Sequence, residues 1–325
     1  MSGYTLAMNG RISDPIMDHM VGNTPLLPLG RLFKNTRGIE VYAKLEYCNP
    51  SGSIKDRIVA HILRDAEIRG KLKPGGTVVE ATSGNTGASL AYFCARLGYK
   101  LILTTMAKVS EEKKNHMRML GAELIVCPTE AEHGSPEHYV QRAADIAKAT
   151  AGAFLVNQYD NPLNSEAHYR TTGPEIWTQM DGRLDWYVAA GSTGGTVSGT
   201  AKYLKERDPK IKVLLPDPVG SIYFDYVRTG EIKPDVVQPY MVEGVGEDHL
   251  TENFNGNMVD EAMQYADEEA FQMCRDCARL EGVLPGLSSG GNLVGVKWLM
   301  KQIDGPARIV VILPDSGVKY LSKLL

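Results

Sequence analysis

No stretch of this 325-residue chain is apolar over the roughly 20 residues that a membrane-spanning helix needs. The N-terminal MSGYTLAMNGRISDP lacks the apolar core of a secretory signal. Repeats at solenoid periods and low-complexity tracts are missing, which excludes stacked-repeat and compositionally disordered architectures. Net charge is small, −4, so a general binder of nucleic-acid backbones is not expected. Seven histidines are scattered, with no H-E-x-x-H or other ligand spacing. Cysteine is sparse and odd in number: Cys48, Cys94, Cys127, Cys274 and Cys277. The C-x-x-C at Cys274 and Cys277 lies inside EEAFQMCRDCARLEG, which reads as a helix, without a second such pair or a nearby histidine. Its thiols are expected to be small buried groups and not a redox or zinc site. These absences predict a cytoplasmic protein with no metal, no nucleic-acid partner and no membrane association.

What is present is ordinary in bulk. Hydrophobic residues make up 43% and charged residues 23%, as in soluble globular proteins. The length exceeds what one core usually holds, so one large or two packed domains are expected. TVVEA, GASLAYFCARLG, KLILTT, EEKKNHMRMLG and AELIVCP alternate strand and helix patterns between residues 77 and 128. DWYVAA, TAKYLKER and KVLLPD repeat that logic later, and IVVILPDSG reads as a further buried strand. The alternation predicts parallel sheets with helices on their faces. A domain boundary is expected near NQYDNPLN (157–164), YAKLEY is expected to add a strand to one domain, and long loops are expected at 130–137 and 221–248.

Four short stretches carry chemistry. NPSGSIKDR (49–57) places Lys55 at the start of a helix whose apolar stripe falls at 58, 59, 62, 63 and 66. The positive end of a helix disfavours a second cation, and a neutral amine suits Schiff-base chemistry. Alone, the segment favours an ordinary first-turn lysine. EATSGNTGAS (80–89) opens a helix with more small polar residues than capping requires, which favours an anion site. AAGSTGGTVSG (189–199) again joins strand to helix, with Gly194 and Gly195 allowing close approach of a phosphate. It matches neither the dinucleotide nor the P-loop spacing. PGLSSGGN (285–292) reads alone as a helix cap. Together they offer a lysine, a phosphate cradle, a ring-nitrogen partner and a carboxylate site, the handles that pyridoxal 5′-phosphate and an amino acid require.

From VGNTPLLPL (21–29) to ILPDSGVKYLSKLL the chain resembles the fold-type II pyridoxal-phosphate enzymes of the cysteine synthase and cystathionine β-synthase group. The resemblance implies an α/β fold of the tryptophan synthase β type, with two α/β domains built on parallel-rich twisted sheets. Residues 46–156 would form a smaller mobile domain with the carboxylate loop; 1–45 plus 157–325 would form a larger one with the phosphate loop. It also implies that Lys55 is the catalytic and cofactor-linking residue and that Asn85 contacts the cofactor's 3′-oxygen. Ser192, Thr193, Gly194, Gly195 and Thr196 would bind its phosphate, and Ser288 its pyridine nitrogen. Thr82, Ser83, Asn85, Thr86, Gln158, Tyr159 and Gly244 would serve the substrate. Ser192 departs from the family's usual glycine but keeps an N–H donor.

Glu243 before Gly-x-Gly in VEGVGED, Tyr159 after Gln158, GSPEHYV (134–140) and DPVGSIY (217–223) lean toward cystathionine β-synthases, which join serine and homocysteine. The alternatives are cysteine synthase, using O-acetylserine and sulfide, and release of hydrogen sulfide from cysteine. Dehydratases of this fold carry a different lysine motif, and a non-catalytic sensor paralogue is the remote option. No Cys/His haem site or C-terminal regulatory module is expected within this stretch. The partners implied are amino-acid and thiol substrates and a second copy in a homodimer.

Overall fold

The computed structural model describes residues 6–7, 11–12, 17, 19–34, 37–82, 84–132 and 134–325. The chain divides into two compact units, Met1–Val21 with Asn49–Asn161, and Gly22–Cys48 with Pro162–Leu325. The expected seams stood at 45/46 and 156/157; the observed ones fall at 48/49 and 161/162. The described residues before Gly22 group with the first unit and not, as the resemblance implies, with the larger domain.

The first unit is built on a four-stranded, all-parallel sheet. Its order from edge to edge is Glu123–Cys127, Lys100–Met106, Thr77–Ala81 and Phe154–Leu155. Helices Lys55–Ile68, Asn85–Leu97, Glu111–Met119 and Tyr139–Ala149 accompany it. Val78 and Val79 are fully buried, as expected of an inner parallel strand covered on both faces. Helix Asn85–Leu97 ends where Gly98 takes the left-handed conformation at φ 78°, which a side chain would resist. Leu6–Ala7 and Arg11–Ile12 pair as a short antiparallel ribbon.

The second unit holds a six-stranded mixed sheet. Its order is Glu261–Tyr265, Lys212–Pro218, Trp186–Val188, Ala307–Leu313, Ile39–Leu45 and Leu26–Pro28. Only the last strand runs antiparallel to its neighbour. YAKLEY therefore belongs to this sheet. Helix Leu287–Leu299 is buried along nearly its whole length, with polar Ser288, Ser289 and Asn292 buried among its glycines and aliphatic residues. Its glycines admit close neighbours: a Cβ on Gly290 would stand 2.2 Å from the Ala270 carbonyl oxygen of helix Asp267–Glu281. That helix carries Cys274 and Cys277, both fully buried. The expected loop at 221–248 is not structureless, since it begins with helix Tyr223–Thr229 and includes a 3-10 turn at Pro234–Val236. Among the described residues, no helix is long and apolar enough to cross a membrane.

Candidate active site

In the first unit, Lys55 is the first residue of helix Lys55–Ile68, as its apolar stripe predicts. The turn before it is closed by a Gly52 N–H bond to the Asn49 carbonyl at 2.8 Å, and Gly52 supplies the left-handed φ of 79° that the turn demands. Lys55 donates its backbone N–H to the Ser53 hydroxyl at 3.3 Å.

Asn85 opens the next helix. Thr82, just before it, accepts the N–H groups of Gly84 at 3.2 Å and Gly87 at 3.1 Å. Its hydroxyl satisfies donors that a helix start leaves over. The Thr86 hydroxyl donates to Gln158, and the Gln158 amide donates to the Ala81 carbonyl at 3.4 Å. Thr82 and Thr86, four residues apart, and the distant Gln158 are thus gathered at one helix N-terminus, and all three are buried. Tyr159 follows, partly buried. Ser83 lies outside the described residues.

Sequence reasoning missed Glu80. Its carboxyl is buried at the end of strand Thr77–Ala81, near the backbone N–H groups of Ala81, Gln158 and Asn157, and its Oε2 has no hydrogen-bond partner among the described residues. It lies beside the turn that presents Gln158, in which Asn157 takes a φ of 52°. Burial pushes this carboxyl up to about 8, against the lowering influence of the nearby backbone N–H groups.

In the second unit, strand Trp186–Val188 leads into the loop before helix Gly195–Arg207. Gly194 takes φ 80°, and a Cβ there would lie 2.5 Å from the Phe254 Cα. On Gly195 a Cβ would meet the Asn164 Oδ1 at 2.0 Å. The loop's carbonyls and hydroxyls are held from behind. Thr251 donates to the Thr193 carbonyl at 2.9 Å, and Tyr223 donates to that of Ser192. The Ser192 hydroxyl donates to Glu247 at 2.8 Å. Asn164 donates to the Thr193 hydroxyl at 2.9 Å, which leaves the Thr193 hydrogen to donate elsewhere. Thr196 bonds His168 Nε2 at 3.1 Å, and His168 Nδ1 bonds Thr172 at 2.9 Å.

Asn164 and His168 are a second omission of the sequence reading. They lie four residues apart on helix Leu163–Arg170, hence on one face, and both are buried. Two buried polar residues at that spacing were the signal available.

Ser288 is the second residue of helix Leu287–Leu299 and is 4% exposed. Its side chain makes no hydrogen bond among the described residues, so a buried hydroxyl is left for a partner. Behind it, Asn292 binds the Ala190 N–H and the Ile312 carbonyl, each at 2.8 Å, fixing the helix to two strand ends. Gly244 has φ 82° with open space where a Cβ would stand. Glu243, whose place before Gly-x-Gly leans toward cystathionine β-synthases, is paired with Lys323 at 2.8 Å. Asp248 meets His249 at 2.6 Å, and with Glu247 these groups form an acidic cluster whose ligand atoms lie within 4.8 Å of one another.

These residues fit pyridoxal phosphate. A glycine cradle at a helix N-terminus, a threonine hydroxyl with its hydrogen to give, and a buried serine without another partner match the group's phosphate and ring nitrogen.

Residues 17–315 match the family described as pyridoxal-phosphate dependent enzyme. The chain is 41% identical to cystathionine beta-synthase of Apis mellifera over 307 residues, which is 94% of this chain and 60% of that protein. It is 39% identical to cysteine synthase 1 of Neurospora crassa, covering 94% of this chain and 81% of the relative. A solved structure, the O-acetylserine dependent cystathionine beta-synthase of Helicobacter pylori, superposes with a TM-score of 0.85 at 33% identity, covering 95% of this chain and 97% of that one.

Proposed function

The chain belongs to the pyridoxal-phosphate dependent enzyme family, and from that membership we propose that it replaces the β-substituent of L-serine or an O-activated serine by a thiol. Within that reaction we assign it to the cystathionine β-synthase type, with homocysteine as acceptor. The observation that carries the reading is the phosphate cradle at 192–196, backed by Asn164, in a chain 41% identical to a cystathionine beta-synthase. The Apis relative is longer than this chain, so its reaction is carried over here as a proposal.

Pyridoxal phosphate supplies an aldehyde that condenses with amines and a ring that withdraws electrons from the substrate's Cα–H bond. Lys55 would hold it in Schiff-base linkage, with Asn85 at its 3′-oxygen and Ser288 at its ring nitrogen. Thr193, Gly194, Gly195 and Thr196 would hold the phosphate; Ser192, whose hydroxyl is turned to Glu247, would contribute its backbone N–H. The substrate carboxylate is received by Thr82, Thr86, Gln158 and the N–H groups at the start of helix Asn85–Leu97, with Ser83 in the same loop. Lys55 Nζ removes the α-proton and returns it once the thiol has taken the β-position. Ser288 is a neutral hydroxyl, which does not hold the ring nitrogen protonated as a carboxylate would, and this favours loss of a β-group over transamination. Tyr159 and Gly244 are assigned to the pocket for the acceptor. The smaller domain is taken as the moving one, and the working form as a cytoplasmic homodimer.

A second reading, cysteine synthase, is supported by the Neurospora crassa relative at 39% identity. Both share the first half-reaction. Holoenzyme given L-serine in deuterium oxide should incorporate deuterium at Cα, and Lys55→Ala should not. Absence of exchange in wild-type holoenzyme contradicts the proposal.

A further inference from the structure

Next to Lys55 stands a carboxylate that the mechanism above does not use. Asp56 is fully buried. It accepts the Ser51 backbone N–H at 2.6 Å, the Ser51 hydroxyl, and the Ser89 hydroxyl at 2.6 Å. A buried carboxylate is tolerated where donors converge on it, and bonds to a charged acceptor are stronger than neutral ones. Its place in the first turn of helix Lys55–Ile68 adds a favourable interaction with the helix N-terminus.

The donors come from two places. Ser51 belongs to the turn that sets the direction of Lys55. Ser89 lies on helix Asn85–Leu97, one turn beyond Asn85, and is fully buried. One carboxylate therefore joins the lysine's turn, the lysine's helix and the helix whose N-terminus receives the substrate carboxylate. A core contact made only for stability has no need to join these particular elements, since apolar packing would serve.

We propose that Asp56 is a positioning residue that couples Lys55 to the carboxylate-binding helix, so that the two respond to substrate as one body. The proposal rests on the roles assigned above to Lys55 and to the 82–87 loop. It extends them by saying how occupation of one is felt at the other. Removing the Ser89 hydroxyl breaks the bond between the two helices and leaves the Ser51–Asp56 bonds of the lysine's turn in place.

Hydrogen–deuterium exchange on the pyridoxal-phosphate holoenzyme tests this, with glycine as probe. Glycine carries the amino and carboxylate groups but has no β-substituent to lose. In wild type, glycine should slow exchange at 84–89 and at 51–58 together, by about tenfold, the ratio of one charge-assisted hydrogen bond. In Ser89→Ala the response at 84–89 should remain and that at 51–58 should fall to less than about twofold. Asp56→Asn should show the same split, and Ser89→Ala keeps the test open if Asp56→Asn does not fold. The visible Schiff-base band, checked in every sample before glycine is added, reports that Lys55 carries the cofactor. If both variants keep the full response at 51–58, the coupling is wrong and the site assignment stands. If wild-type protein shows no glycine response at 84–89, the carboxylate site is misassigned and the coupling falls with it.

Discussion

At the scale of single residues, the account rests on Lys55. Lys55→Ala should lower turnover by about 10²–10⁴-fold, the usual contribution of a general base, and should abolish the visible Schiff-base band. Near-wild-type turnover in this variant contradicts the assignment. The cysteines give an independent check. Burial pushes the thiols of Cys94, Cys274 and Cys277 up to about 12, while Cys48 is exposed. The thiolate is the reactive form, so brief alkylation of native protein near neutral pH should label Cys48 first. Early labelling of Cys274 or Cys277, read by peptide mass, contradicts the placement of their helix. The sequence reading of that C-x-x-C as buried small groups agrees with the structure, because the helical pattern around it was strong. Glu80 was illegible by comparison: nothing in TVVEA says that a strand's only charged residue will be buried.

At the scale of elements, the alternation of β-branched runs with amphipathic ones marked most strands and helices around the site. Glycine punctuation helped, as at Gly98, where the left-handed φ ends a helix. Short elements escaped. Tyr223–Thr229, only 7 residues long, offers too little periodicity to read. The backing of the phosphate loop escaped for another reason: Asn164 and His168 reach residues 193 and 196 through the fold, a proximity no local pattern encodes. The loop itself makes a prediction. Gly194→Ala must accept both a positive φ and a clash with the Phe254 backbone. It should weaken pyridoxal-phosphate affinity of the apoprotein by about tenfold or more, measured by fluorescence titration. Unchanged affinity contradicts the assignment of this loop to the phosphate.

At the scale of the whole molecule, two buried carboxyls tie stability to pH. Burial raises Glu80 from 4.5 to about 8 and Asp217 from 3.8 to about 7. The folded chain keeps these protons where the unfolded chain has released them. Their contribution is fully present below about pH 4, and is lost as pH rises through about 7 for Asp217 and about 8 for Glu80. Urea midpoints should therefore fall between about pH 5 and pH 8.5, and Glu80→Gln or Asp217→Asn should flatten the decline. A wild-type midpoint that rises across this range contradicts the burial of these protonated groups.

The reaction itself is decided most directly by a competition. Holoenzyme is given equal L-serine and O-acetylserine, isotopically distinguished, with homocysteine and sulfide together, and the products are read by mass spectrometry. The account predicts cystathionine, its four-carbon half from homocysteine and its three-carbon half carrying the label of either donor. Cysteine as the main product, formed from O-acetylserine and sulfide with little cystathionine, would contradict the assignment of homocysteine as acceptor.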